Sequence, residues 1–133
     1  MNAIQKEIAM ALIAVVNDDP DYLEMMRDLL EDLGYQAFFC TKDSGAYDAI
    51  KQHRPDLILA DIRMERPDSG IRLVEQLRQD AEMQDIPVIV VTADIFFIES
   101  HTGWAQDHNC AILTKPFLIE DLEQLINKML PGA

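Results

Sequence analysis

Two kinds of segment alternate along the chain. Short apolar runs stand at "ALIAVV" (11–16), "QAFFC" (36–40), "DLILA" (56–60), "PVIVV" (87–91) and "CAIL" (110–113). They are β-branched or aromatic-rich and mostly continuous rather than alternating, which predicts strands covered on both faces. Between them lie segments of helical period. In 21–33, Tyr22, Met26, Leu29 and Leu33 share one face with Leu23 and Leu30 beside it, acids take the opposite side, and Gly34 is a natural stop. Further helices are predicted at about 44–53, ending before Pro55, at about 70–80, and somewhere in 94–107. A last one carries Leu118, Leu122, Leu125, Ile126 and Met129 on one side before Pro131 and Gly132. Strict alternation with short connections predicts an α/β domain: a doubly wound, five-stranded parallel sheet, (βα)5, with right-handed crossovers and helices on both faces.

Composition agrees with one such domain. The chain has 133 residues, 49% of them hydrophobic, so a full core is within reach. Residues 11–130 read as the domain, 1–10 as an N-terminal extension and 131–133 as a tail. The formal charge of −13, from 24 acids against 11 bases, argues against direct nucleic-acid binding and against anionic membranes. The run from Ile8 to Val16 has the length of a secretory h-region, but "MNAIQKE" before it offers no positive flank, so a buried strand is the reading. No segment reaches the ~18 apolar residues of a membrane span. Cys40 and Cys110 are too few for a disulfide framework and lack metal-ligand spacing, which suits a reduced, cytoplasmic compartment.

Open parallel sheets bind ligands beyond the carboxyl ends of their strands. There the sequence places Asn17, Asp18 and Asp19 after the first strand, Asp61 after the third, and Thr92 with Ala93 after the fourth. The fifth strand is followed by "TKPF", with Lys115 and Pro116. Asp18 and Asp61 are hard oxygen ligands suited to Mg2+, which takes one or two carboxylates and keeps several waters. A carboxylate can also be the nucleophile that forms an aspartyl-phosphate. Phosphoryl transfer then needs mainly positioning and charge neutralisation, within the means of a metal and a lysine.

At these residues the sequence resembles the receiver domain of two-component response regulators, through "VVNDDPDYLEMMRDLLEDLGY", "PDLILADIRM", "IPVIVVTAD" and "LTKPF". The resemblance covers roughly residues 11–130. It implies a flavodoxin-like fold with strand order 2-1-3-4-5 and a signalling phosphoacceptor rather than a metabolic enzyme. Asp61 would be the phosphoacceptor, Asp18 a direct Mg2+ ligand, and the backbone carbonyl of Arg63 a further ligand. Thr92 and Lys115 would contact the phosphoryl group. Ala93 would leave access to it, and Pro116 would line the same pocket behind a usually cis Lys115–Pro116 bond. The implied partners are a sensor histidine kinase or histidine phosphotransfer protein and an unknown downstream protein. A homodimer through the fourth helix, fifth strand and fifth helix is also open, with "DIFFIES" and Trp104 as its surface.

Three residue patterns depart from the family. Asn17 stands where the family usually has the first of two acids; it can accept a hydrogen bond from metal-bound water and adds a donor, so weaker Mg2+ binding is expected. The loop "DIRMERPDSG" is one residue longer, and Arg63 and Glu65 are placed to alter water access. Ile112 stands where the family often has an aromatic switch residue, so either the output surface switches differently or coupling is weak. An alternative is therefore a protein-interaction module acting without phosphorylation. A phosphohydrolase would want a second acid where Arg63 sits, and a dinucleotide binder a Gly-rich loop after the first strand. Phe96, Phe97 and Trp104 read as packing residues, and His53, His101 and His108 as surface residues. Cys40 and Cys110, on opposite edge strands, should be too far apart to bond.

Overall fold

The computed structural model describes residues 11–64 and 66–130. The N-terminal extension, Glu65 and the stop signals Pro131 and Gly132 lie outside the described residues. Five strands, β1 (Leu12–Val16), β2 (Gln36–Cys40), β3 (Leu57–Asp61), β4 (Val88–Thr92) and β5 (Cys110–Thr114), pair in parallel in the order β2-β1-β3-β4-β5. Among the described residues six helices connect and follow them: α1 (Pro20–Asp32), α2 (Asp43–His53), α3 (Ser69–Arg78), α4 (Ile95–Ser100), α5 (Thr102–Asp107) and α6 (Ile119–Met129). Among the described residues no helix is long and apolar enough to cross a membrane.

Successive residues of the central strands feed two separate cores, because strand side chains alternate between faces. Ala14, Val16, Ile58, Ala60, Val88 and Val90 pack with Ala46, Ile50, Leu73 and Leu77 of α2 and α3. Ile13, Val15, Leu57, Leu59, Ile89 and Val91 pack with Met26 and Leu30 of α1 and Leu122 and Ile126 of α6. Each of these fully buried large aliphatic side chains contributes about 1.5–3 kcal/mol relative to exposure. Double coverage is why the runs read as continuous rather than alternating.

The caps explain where elements begin and end. Asp19 accepts a hydrogen bond from the Asp21 backbone N–H at 3.0 Å and Pro20 opens α1, so Asp19 caps the helix besides being exposed to solvent. Gly34 ends α1 with φ 90°, a left-handed conformation that Cβ-bearing residues disfavour. Within α1 the buried stripe is Leu23, Met26 and Leu30. Tyr22, Leu29 and Leu33, read as part of the inward face, are only partly buried, which turns Tyr22 toward the strand ends.

The single helix expected in 94–107 is two, α4 and α5, meeting at His101. Side chains compete for the backbone there. Ser100 Oγ donates to the Phe96 carbonyl at 2.6 Å, and His101 Nδ1 lies 3.0 Å from the Phe97 carbonyl, an acceptor that a continuous helix needs. His101 and His108 are not free surface residues: their rings stack on Phe97 at 4.2 Å and on Trp104 at 4.8 Å. Phe97 is buried as expected, but Phe96 is 83% exposed, because adjacent helical residues point about 100° apart. Both cysteines are free and sit on the two edge strands, in accord with the expected topology.

Asp80, just past α3, ties that end of the molecule to α2. Its carboxylate accepts from the Tyr47 hydroxyl and lies 3.1 Å from Lys51 Nζ. The Tyr47 bond first, then the Glu82 backbone N–H and Lys51, hold its pKa down to about 2 from 3.8. A depressed carboxyl pKa gives stability that is present above the unfolded value and is lost as pH falls through the folded one. Wild type should therefore exceed Asp80→Asn in denaturant midpoint above about pH 4, with the gap closing toward about pH 2. A gap independent of pH over that range would contradict this.

Candidate functional site

The reversal of strand order falls at β1, between β2 and β3, and this crevice is where the polar strand ends meet. Val16 pairs with Ala60 and Asp61 with Val91, while Thr92 pairs with Thr114. Asp61 and Thr92 are thus the last residues of their strands rather than the first loop residues, and they inherit the rigidity of the sheet.

Asp61 is the hub. Its Oδ2 accepts from Lys115 Nζ at 3.1 Å and from Asn17 Nδ2 at 3.1 Å. The Arg63 N–H approaches Oδ1 at 3.4 Å. Asn17 is 2% exposed, and its Oδ1 accepts from the Asp19 backbone N–H at 2.9 Å. An Asn satisfies both contacts at once, donating to one carboxylate and accepting from an amide; an ionised Asp would set two negative charges together. Asn17 therefore acts directly on Asp61, a closer role than the water-mediated one its sequence position suggested.

Asp61, Arg63, Thr92, Ala93, Asp94 and Lys115 line a cavity of about 400 Å³. Thr92 is buried, and its Oγ1 accepts from the Asp94 N–H at 3.0 Å. The hydroxyl proton is left to donate, since a hydroxyl has one donor and two acceptor sites. Across the mouth, Arg63 Nη2 pairs with Asp94 Oδ2 at 3.1 Å, while Asp94 Oδ1 caps α4 by accepting from Phe97 N–H at 3.0 Å. The Phe97 bond first, and Arg63 after it, lower the Asp94 pKa. Nothing in the sequence marks Asp94 as part of the site; its place two residues past a strand-end Thr and before "IFF" is an N-cap signal that carries no sign of the Arg63 contact.

A second, apolar cavity of about 480 Å³ lies on the other side of Lys115, lined among others by Tyr22, Leu29, Ala93, Pro116 and Phe117. Pro116, expected in the same pocket as Asp61, lines this one instead, because after Lys115 the chain turns away toward α6. The Lys115–Pro116 bond is cis, as expected. Lys115 Nζ lies 4.5 Å from the centroid of the Tyr22 ring. Burial first, then the Asp61 charge, push the Tyr22 hydroxyl up to about 12, so it stays neutral at ordinary pH. Helical spacing alone places Tyr22 on the core-facing side; only its place beside Lys115 marks it out.

Asp18 is exposed beside Asn17 and is not among the residues lining the Asp61 cavity. Oxygen donors near these strand ends include the carboxylate of Asp61, that of the exposed Asp18 outside the cavity lining, and the backbone carbonyl of Arg63. Among the described residues no three His, Cys, Asp or Glu side chains are grouped to hold a metal ion. A donor set of two carboxylates and a carbonyl fits a hard cation that keeps its waters, not zinc.

The family profile described as the response regulator receiver domain matches residues 13–127. The chain is 32% identical over 122 residues to the polar-differentiation response regulator DivK of Brucella anthropi, covering 91% of this chain and 97% of that protein. It is 31% identical over 119 residues to the response regulator Rre1 of Synechocystis, covering 89% of this chain and 51% of that one, so it spans about half of that relative. The chemotaxis response regulator CheY4 of Vibrio cholerae superposes with a TM-score of 0.79 at 22% identity, covering 91% of this chain and 99% of that one, a likeness of fold.

Proposed function

The chain belongs to the response regulator receiver family, a signalling module, and from that premise we propose that it is a phosphoacceptor of a two-component phosphorelay, phosphorylated on Asp61. The observation that carries this reading is the convergence of Lys115, Asn17 and the cavity lined by Thr92 on one strand-end carboxylate. An oxygen of Asp61 attacks the phosphorus of a phosphohistidine on a histidine kinase or phosphotransfer protein; the new O–P bond forms as the N–P bond breaks, and the imidazole leaves. Lys115 neutralises phosphoryl charge, the Thr92 hydroxyl donates to a phosphoryl oxygen, and Ala93 leaves the approach open. Mg2+, held by Asp18, Asp61 and the Arg63 carbonyl, would supply the remaining neutralisation. Phosphorylation replaces the single carboxylate charge of Asp61 with about 1.5–2 negative charges on the phosphoryl group, a net gain of about 0.5–1 in the cavity that Arg63 and Asp94 also line, and a downstream partner reads the resulting shift in population.

Incubation with Mg2+ and a small phosphodonor such as acetyl phosphate, followed by intact-mass measurement, is expected to add one phosphoryl group. No gain with several donors would sink the proposal and leave an interaction module that acts without phosphorylation, the reading favoured by Asn17 in place of an acid.

Asn17→Asp should have opposite effects with and without metal. It replaces the donor to Asp61 Oδ2 with a second carboxylate, so the metal-free protein should lose about 1–3 kcal/mol. It also adds a negative charge beside the cation, so Mg2+ should bind about tenfold tighter or better. Urea midpoints with and without Mg2+, together with a direct titration, check both signs; unchanged Mg2+ affinity would refute the assignment.

A further inference from the structure

Lys115 carries its charge at the end of a flexible four-carbon stem, and holding it in one place opposes roughly 2 kcal/mol of rotamer freedom. In this fold the ammonium is held from two sides. Asp61 Oδ2 lies 3.1 Å away, and the Tyr22 ring centroid lies 4.5 Å away. The ring comes from the first turn of α1, off the buried stripe of Leu23, Met26 and Leu30, and it lines the apolar cavity that shares Lys115 and Ala93 with the acidic one.

We propose that Tyr22 is a positioning residue for phosphoryl transfer, its ring face fixing the ammonium of Lys115 beside the acceptor carboxylate. This rests on the phosphoacceptor reading of Asp61. The two holds differ in what the reaction does to them. Once Asp61 carries a phosphoryl group, its carboxylate no longer offers the same charged oxygen, and the ammonium must turn to a phosphoryl oxygen. The ring face attracts the cation before and after transfer. It also brings no negative charge against the incoming phosphoryl group, as a second acid would. The aromatic face is what matters, so Phe should serve and an aliphatic side chain should not.

Two readouts test this on the full chain. The first is the rate of phosphoryl uptake from acetyl phosphate with Mg2+, followed by intact mass. Tyr22→Leu is expected to be about tenfold slower, with Tyr22→Phe restoring the rate to within about twofold. Tyr22→Met serves as a second non-aromatic variant if the Leu variant packs poorly. The second is the position of the Lys115 Hε protons by NMR in the unphosphorylated protein, assigned by their loss in Lys115→Met. A ring face shifts them upfield in wild type and Tyr22→Phe, and they return to the ordinary Lys position in Tyr22→Leu. An unshifted Lys115 signal in wild type, a Leu variant as fast as wild type, or a Phe variant as slow as Leu would each overturn the proposal. Failure of wild type to take up any phosphoryl group would overturn the phosphoacceptor reading instead, while the Hε shift still reports whether ring and ammonium meet.

Discussion

Asp61→Asn is expected to take up no phosphoryl group under conditions that label wild type, and to remain folded. The change keeps the shape of the side chain and removes the nucleophile, because a neutral amide oxygen does not form a stable phosphate linkage. The fold should tolerate it. The Lys115–Asp61 pair is largely buried, at 28% and 17% exposed, so its loss costs on the order of 1–3 kcal/mol, less than the roughly 5–15 kcal/mol that holds a domain folded. The Asn carbonyl can still accept from Asn17 Nδ2, which lies 3.1 Å from Asp61 Oδ2 in wild type. Intact mass with acetyl phosphate and Mg2+, paired with a urea midpoint, separates chemistry from stability. A labelled Asp61→Asn protein would move the acceptor elsewhere, with the exposed Asp18 and Asp19 the next to test.

Gly70→Ala should cost about 2–4 kcal/mol of folding stability and lower the thermal midpoint by roughly 10 °C. A Cβ on Gly70 would sit 2.3 Å from the Asp61 carbonyl oxygen and 2.8 Å from the Ile62 Cα. Both are backbone atoms at the end of β3, so no rotamer change relieves the clash. The start of α3 and the end of β3 must separate, straining the Gly70 N–H to Ile62 carbonyl bond of 2.8 Å. Since Asp61 is the last residue of that strand, its carboxylate moves with the backbone, and phosphoryl uptake should fall as well. Gly45→Ala and Gly103→Ala are the controls. Both are helical positions with nothing within 4 Å of the added carbon, so each should be neutral or stabilise by about 0.5–1 kcal/mol. A Gly70→Ala protein as stable as these controls would show that the two segments have room to part.

The hydrophobic pattern revealed the sheet because its strands are buried on both faces. Ile13 and Val15 go to one core and Ala14 and Val16 to the other, which leaves an unbroken apolar run with a sharp polar end. That end is itself informative, since Asp61, Thr92 and the Lys115 turn follow buried strands where uncompensated polar groups are expensive. The same periodicity misplaced the inward face of α1 by about one residue, because Tyr22 and Leu29 are apolar enough to fit the core and instead flank a cavity. It also missed the break at His101, where Ser and His side chains take backbone carbonyls that a propensity reading assigns to the helix.

By itself the sequence determined the order of elements, the strand ends on which chemistry would sit, and the identity of Asp61, Lys115 and Thr92 as their polar residues. Those follow from local periodicity and from residue type. Only the tertiary structure decided what touches Asp61 and Lys115. The Asn17–Asp61 and Lys115–Asp61 contacts span 44 and 54 residues, and the Tyr22 ring reaches Lys115 from the far end of the chain. The closeness that sets the cost of a side chain at Gly70 is likewise a distance between backbones, not a pattern of side chains. Such contacts depend on strand register and helix rotation to within an ångström or two, and a hydrophobic period of 2 or 3.6 residues carries no information at that scale.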